Sequence, residues 1–205
     1  FQPNIIINCA AEIYNPDAMW AVNIELVKHC LDYQRTNPCT FIQLGSSSEY
    51  GPADHATVET EPVAVTDMYG TTKGLATMLC CSYATQYGND VAIIRPYSPF
   101  GPGERPHRLF PRLWRAFKLN EPMRLVNGVH DFCYIEDFVQ AVNKIITSDQ
   151  RTPGEIINVS SGVQTTNHEV YNIFKQLTGH NGAVELVDDW VTPPVWCADI
   201  NKAVN

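Results

Sequence analysis

Apolar positions along the chain fall into short unbroken runs separated by helical stripes. Ile5, Ile6 and Ile7 form one run, ending at Asn8; residues 41–44 and 91–94 form two more. Short runs of this kind read as strands buried on both faces. Between the first two, Met19, Val22, Leu26, Val27, Cys30 and Leu31 recur at the spacing of one helix face, so a helix is predicted over 16–33, with Pro16 and Asp17 in its first turn. A second helix is predicted over 66–87, capped by Thr66 or Asp67 and closed by Gly88. Strands separated by helices of this length require parallel crossovers, so the predicted class is α/β, a doubly wound parallel sheet.

After Pro96 the pattern loosens. Prolines and glycines through Pro106 predict a loop, followed by a helix face of Leu109, Phe110, Leu113, Trp114 and Phe117, with Trp114 and Phe117 assigned to the core rather than to a nucleotide-stacking platform. Ile135, Phe138, Val139, Val142, Ile145 and Ile146 mark another helix, and residues 155–159 another strand. Thr166 and Glu169 form a capping-box pattern ahead of Val170, Ile173, Phe174 and Leu177, and a further helix starts within 199–203. The expected division is a dinucleotide-binding part over 1–98 and a smaller substrate-binding lobe over 99–205, with the strand at 155–159 returning to the main sheet. Both ends read as incomplete, since the chain opens inside an apolar strand and contains no Gly-x-Gly-x-x-Gly.

Charge narrows the partners. A net charge of -8 and a pI near 5.1 argue against nucleic acid or an anionic membrane, while leaving room for a phosphorylated ligand held by a few local donors. Apolar residues at 44% and charged residues at 18% belong to an ordinary folded domain. The seven cysteines are odd in number and scattered without zinc-ligand spacing, and His107 and His130 lack metal-ligand partners, so no metal is expected. Reduced thiols, no apolar run of the ~18 residues a membrane span needs, and no signal segment lead to the expectation of a soluble cytoplasmic protein.

Tyr69 and Lys73 stand four apart on the 66–87 helix and so project from one face. A phenol ionises near pH ~10, and a neighbouring ammonium lowers that value, yielding a group able to take or return a proton. Ser46, Ser47 and Ser48 follow the second strand, at the carboxyl end where open α/β sheets bind ligands. A hydroxyl there can hydrogen-bond the oxygen whose proton Tyr69 moves.

Six segments occur in order: Asn8-Cys9-Ala10-Ala11, then Asn23, Gly45-Ser46-Ser47-Ser48-Glu49-Tyr50-Gly51, Tyr69-Gly70-Thr71-Thr72-Lys73, Arg95 to Gly103, and His130 to Asp137. Together they resemble the NAD-dependent epimerase/dehydratase family, the extended short-chain dehydrogenases, over nearly the whole chain. The resemblance implies a Rossmann-like fold, NAD or NADP as cofactor, and a nucleotide-sugar substrate. It implies that Ser46, Tyr69 and Lys73 are catalytic, with Lys73 also on the nicotinamide ribose. Cys9, Ala10, Ala11 and Tyr97 would lie along the cofactor, supported by Asn23. Ser47, Ser48, Ser98, Arg108, Arg124 and His130 would face the substrate, and a homodimer would form through the 16–33 and 66–87 helices. The family's glycine-rich loop and its NAD-selecting acid would precede this chain.

Two departures bear on the reaction. The family's 4,6-dehydratases carry an acid two positions after the catalytic Ser/Thr, where this chain has Ser48, so epimerisation or 4-ketone reduction is expected instead. The family commonly has Arg before the Asp-Phe pair, where this chain has His130; Arg105, Arg108 and Arg124 are the other candidates for the diphosphate. The alternative is a non-catalytic, dinucleotide-binding or regulatory member of the same fold.

Overall fold

The computed structural model describes residues 2–148, 150–187 and 195–204. Its centre is a parallel sheet of β1 (Ile5–Asn8), β2 (Thr40–Leu44), β3 (Val91–Pro96) and β7 (Glu155–Val159), in that spatial order. The runs of Ile, Val and Phe suit strands covered on both sides, and the period of two divides them between two cores. Phe41, Val91 and Ile93 pack with Val27, Leu31, Ala76 and Cys80 on one face. Ile42, Ala92 and Ile94 pack with Cys133, Phe138 and Ile157 on the other. At the β1 edge, Ile5 and Ile7 remain exposed.

The helix predicted over 16–33 begins as α1 (Pro16–Trp20), passes through a π-helical turn (Ala21–Glu25) and continues as α2 (Leu26–Thr36). Asn15 caps its start by accepting from the Asp17 N–H. α3 (Met68–Tyr87) is capped by Asp67, which accepts from the Gly70 N–H at 2.6 Å, and ends on Gly88 in the left-handed region. The remaining helices are α4 (Leu109–Leu119), α5 (Ile135–Thr147), α6 (Asn167–Thr178) and α7 (Asn201–Val204).

Several strands escaped the sequence pattern. Part of the predicted 96–106 loop is β4 (Ser98–Phe100), which pairs parallel with β6 (Val129–Tyr134). Pro99 is tolerated there because β4 is an edge strand. β6 pairs on its other side with β8 (Gln164–Thr166), while β5 (Met123–Val126) and β9 (Val184–Val187) form a separate pair. Trp114, expected in the core, is 52% exposed, with the Lys118 ammonium over its ring; α4 buries Leu113 and Ala116 instead.

One buried carboxylate ties the far end of the chain to this frame. Asp131 on β6 has no exposed surface, and it accepts from Ser160 Oγ, the Ser161 N–H and Oγ, and the Gly162 and Ala198 N–H groups. Residues near 197 are thereby carried back to the carboxyl end of the main sheet. No helix among the described residues is long and apolar enough to cross a membrane.

Candidate active site

Where β2 ends, the chain turns at once into a single 3₁₀ turn, Ser47–Glu49, capped by Ser46. Ser46 Oγ accepts from the Ser48 N–H at 3.1 Å, and Glu49 Oε1 accepts from the Ser46 N–H at 2.8 Å. Ser46 thus uses a lone pair on its own loop and keeps its O–H as a donor. A Cβ at Gly45 would stand 2.5 Å from Glu49 Oε1, so only glycine lets this carboxylate fold back under the loop.

α3 meets the same loop at its first turn. A Cβ on Gly70 would lie 2.6 Å from the Ser48 carbonyl oxygen, so the glycine beside Tyr69 sets how near the helix comes. The result is a cavity of about 680 Å³ with Ser46, Ser47, Ser48 and Tyr69 on one wall. Tyr97, Ser98, Arg108 and His130 line the other side. Its size and mixed lining suit a small polar ligand. A second hollow of about 550 Å³, beside α5 and β7, holds none of the predicted site residues.

The Tyr69 phenol is held above its ordinary pKa, chiefly by burial and further by the charges of Glu49 and Asp67; Ser46, by hydrogen bonding, and Arg108 pull the other way. This corrects the expectation that Lys73 lowers it. The Lys73 ammonium, 3% exposed, donates instead to the Leu44 carbonyl at the end of β2. Burial lowers the Lys73 pKa, opposed by Glu49, Cys80 and Cys9. In this arrangement Tyr69 is a protonated acid, and Lys73 lies behind it, toward the β1 loop.

Cys9 and Ala10 are exposed on that loop, and Ala11 is half-buried. Asn23, 2% exposed, holds the loop rather than facing a ligand. Its Oδ1 accepts from the Glu12 N–H at 2.8 Å, and its Nδ2 donates to the Glu12 carbonyl and to Thr72 Oγ1, both at 2.9 Å. It therefore clamps the loop against the turn of α3 that carries Lys73. Exposed backbone at the carboxyl end of a parallel strand, with the buried Lys73 ammonium close enough to feel Cys9, fits the ribose of a dinucleotide.

Tyr97 and Ser98 have partners of their own. The Tyr97 hydroxyl bonds Thr57 Oγ1 and its ring faces Tyr50 and Trp196, so it serves as wall. Ser98 Oγ lies 3.2 Å from His130 Nδ1. Burial, with Arg108 nearby, lowers the pKa of His130, so the ring is neutral at neutral pH and is no cation for a diphosphate. Arg105 and Arg108 are the arginines that line the cavity. Arg124 is not there. The alternation of β5 turns Met123 and Leu125 inward and Arg124 outward, into a separate shallow depression beside Arg112 and Arg115.

Three wall residues carried no signal in the sequence. Tyr14 reaches the cavity from the β1 loop and bonds His107 Nε2 through its hydroxyl at 3.0 Å. Glu104 lies against Arg108, with Oε1 3.4 Å from its Nε. Trp196 arrives from far along the chain, on a segment held by Asp131, by Gln164 and by backbone bridges to Ala53 and Thr57.

Known proteins resemble this chain in sequence and in fold. A Bacillus subtilis protein named as an uncharacterized UDP-glucose epimerase is 26% identical over 189 residues, 89% of this chain and 59% of its own length. A Streptomyces griseus dTDP-glucose 4,6-dehydratase is 24% identical, over 76% of this chain and 48% of its own. The chain thus spans about half to three fifths of the length of these curated relatives. Among solved structures, a Bacillus cereus UDP-glucuronic acid 4-epimerase, crystallised with a fluorinated UDP-glucuronic acid and NAD, superposes with a TM-score of 0.88 at 22% identity, covering 98% of this chain and 68% of that one. A Bacillus anthracis dTDP-glucose 4,6-dehydratase in complex with NAD gives 0.87 at 22% identity, covering 98% and 64%. These structures share the Rossmann fold of the extended short-chain dehydrogenases. Since the model of the NAD dependent epimerase/dehydratase family matches residues 1–160, the chain belongs to that family.

Proposed function

We propose that this chain carries the reacting and substrate-facing part of an NAD(P)-dependent nucleotide-sugar epimerase or 4-ketoreductase. The observation that carries the reading is that Ser46 and Tyr69 share one cavity wall at the carboxyl end of β2, with Lys73 behind them. When bound, the nicotinamide supplies or receives a hydride at the sugar carbon. Tyr69, protonated at rest, gives its proton to the sugar carbonyl oxygen in the reducing direction and takes it back in the oxidising one. Ser46, which hydrogen-bonds the Tyr69 hydroxyl at rest, turns its O–H to the same oxygen while negative charge develops there. Lys73, with Cys9, Ala10 and Ala11, would hold the cofactor ribose and set the distance to Tyr69.

Elimination of the 4,6-dehydratase kind lacks its acid two positions after Ser46. Ser48 is neutral, and Glu49 points away from the cavity, both its oxygens engaged by Ser46 and Arg95. Glu104, a carboxylate on the wall, faces Arg108.

The anionic half of the substrate is assigned to Arg105 and Arg108. Replacing Arg108 by Gln removes a half-exposed charge-assisted contact, so KM is expected to rise about tenfold, the low end of the range for such bonds, with kcat little changed. Arg124→Gln, outside the cavity, should leave both constants within about twofold, the ordinary scatter for a remote surface change. Equal effects of the two variants in steady-state assays would reassign the anion site. Exposed apolar residues on α3 (Met68, Leu75, Met78) and on the preceding helix (Trp20, Leu26) support self-association through the 16–33 and 66–87 helices.

The test is turnover. Full-length protein is mixed with NAD and UDP-glucose, UDP-glucuronic acid or dTDP-glucose, and separately with NADPH and 4-keto nucleotide sugars. The reading expects a C4 epimer in the first set or consumption of reduced cofactor in the second. Neither product, with no nicotinamide dinucleotide found by mass spectrometry in the purified protein, would replace it with a non-catalytic role.

A further inference from the structure

Glu49 is unusual for its place. It follows three serines in a loop at the cavity, yet it has no exposed surface. Its Oε1 accepts from the Ser46 N–H at 2.8 Å, and its Oε2 accepts from Arg95 Nε at 2.9 Å and Arg95 Nη2 at 2.8 Å. Arg95, 1% exposed at the end of β3, is held in turn by the Tyr50 ring, which lies 4.4 Å below its guanidinium carbon. The Tyr50 hydroxyl donates to Asn158 Oδ1 at 2.7 Å on β7. A continuous chain of contacts therefore runs from the outer strand of the sheet to the backbone of Ser46.

We infer that Glu49 is a positioning residue, which with Arg95 sets the orientation of Ser46 toward the reacting oxygen. The inference rests on the proposed function for its consequence, though not for its geometry. The carboxylate is required because two neighbours, Ser46 N–H and Arg95, are both donors, and an ionised carboxylate offers an acceptor to each. Glutamine has the same shape but only one acceptor. The guanidinium, the stronger donor, claims the amide oxygen, and the NH₂ group is turned against the Ser46 N–H. Two buried donors then face each other and the serine loop must shift. Because the loop backbone carries the hydroxyl, a shift of about an ångström there is enough to cost on the order of a hundredfold in rate.

The pair also explains Gly45, whose missing Cβ leaves the space that Glu49 Oε1 occupies. No other side chain contacts the Ser46 N–H among the described residues.

The test uses the full-length enzyme and two variants. Glu49→Gln is expected to lower kcat about a hundredfold with KM and cofactor affinity within about twofold, because Ser46 acts on the transition state rather than on binding. Adding Arg95→Met removes the competing donor and frees the introduced amide oxygen for the Ser46 N–H, so the double variant should recover most of the lost kcat. A merely structural role predicts no such rescue, and a double variant as slow as Glu49→Gln overturns the inference. If either variant fails to fold, amide hydrogen exchange on the unaltered protein decides. The Ser46 N–H should exchange at least about tenfold more slowly than that of Ser47, which has no acceptor in the loop, since a formed hydrogen bond must open first. Equal rates overturn the inference. Absence of any turnover by the unaltered enzyme would sink the functional reading, while the exchange rates would still decide the role of Glu49.

Discussion

Replacing Tyr69 with Phe is expected to lower turnover about a thousandfold, inside the ~100- to 10,000-fold range for a positioned proton-transfer group. The ring, and hence the packing of the first turn of α3 on the serine loop, stays the same; only the proton carrier is lost. Stability and cofactor binding should therefore match the unaltered protein, and the loss should fall on kcat. The pH dependence follows from the direction of the Tyr69 shift. Burial, with Glu49 and Asp67, keeps the phenol protonated above its ordinary value. Reduction, which needs the acid form, should hold its rate up to the ordinary phenol range near pH ~10, whereas oxidation, which needs the phenolate, should speed up as pH rises. Steady-state rates in both directions against pH check this, and a Tyr69→Phe variant with full activity would end the mechanism.

The second large effect is on folding. Asp131→Ala leaves the backbone N–H groups of Ser161, Gly162 and Ala198 without their acceptor inside the protein, while the hydroxyls of Ser160 and Ser161 keep the Asp131 and Val163 carbonyls. Orphaned buried donors cost about 1–3 kcal/mol each, and partial rehydration of the segment near 197 offsets some of that, so a loss of about 3–5 kcal/mol is expected. Urea denaturation reads it as a lower midpoint at similar slope. The same change should raise KM, because the segment that carries Trp196 to the cavity wall loses one of its anchors. A loss under about 1 kcal/mol would show that the carboxylate is not what holds this region, since a single ordinary hydrogen bond is worth as much.

The parallel sheet was legible because it depends on local rules. The Ile5–Ile7 run, the stripe from Met19 to Leu31, the Asp67 cap and the Gly88 stop each act within a few residues. The cavity wall that Ser46 and Tyr69 share was legible for a related reason: Ser46 lies just past a strand and Tyr69 in the first turn of a helix, and both ends meet at the same edge of the sheet. What escaped depends on contacts distant in sequence. β4, β5 and β9 are three or four residues long and pair with segments more than thirty residues away, so no periodicity develops. Trp196 and Asp131 are joined by a hydrogen-bonding cluster that no spacing announces. Arg124 was misplaced because the alternation of β5, which turns it outward, was itself unread. The direction of the Tyr69 shift needed the partner of Lys73 to be seen, and the sequence does not show that the ammonium turns to Leu44.

The most direct test follows the hydrogen on the sugar. Full-length protein is mixed, in excess over substrate, with NAD and with UDP-glucose, UDP-glucuronic acid or dTDP-glucose carrying deuterium at C4, and quenched during a single turnover. Cofactor and sugar are then weighed by mass spectrometry. Deuterium is expected on the nicotinamide during turnover of any sugar that is converted, and none with Tyr69→Phe. Sugars that are converted while the cofactor stays unlabelled would contradict the mechanism.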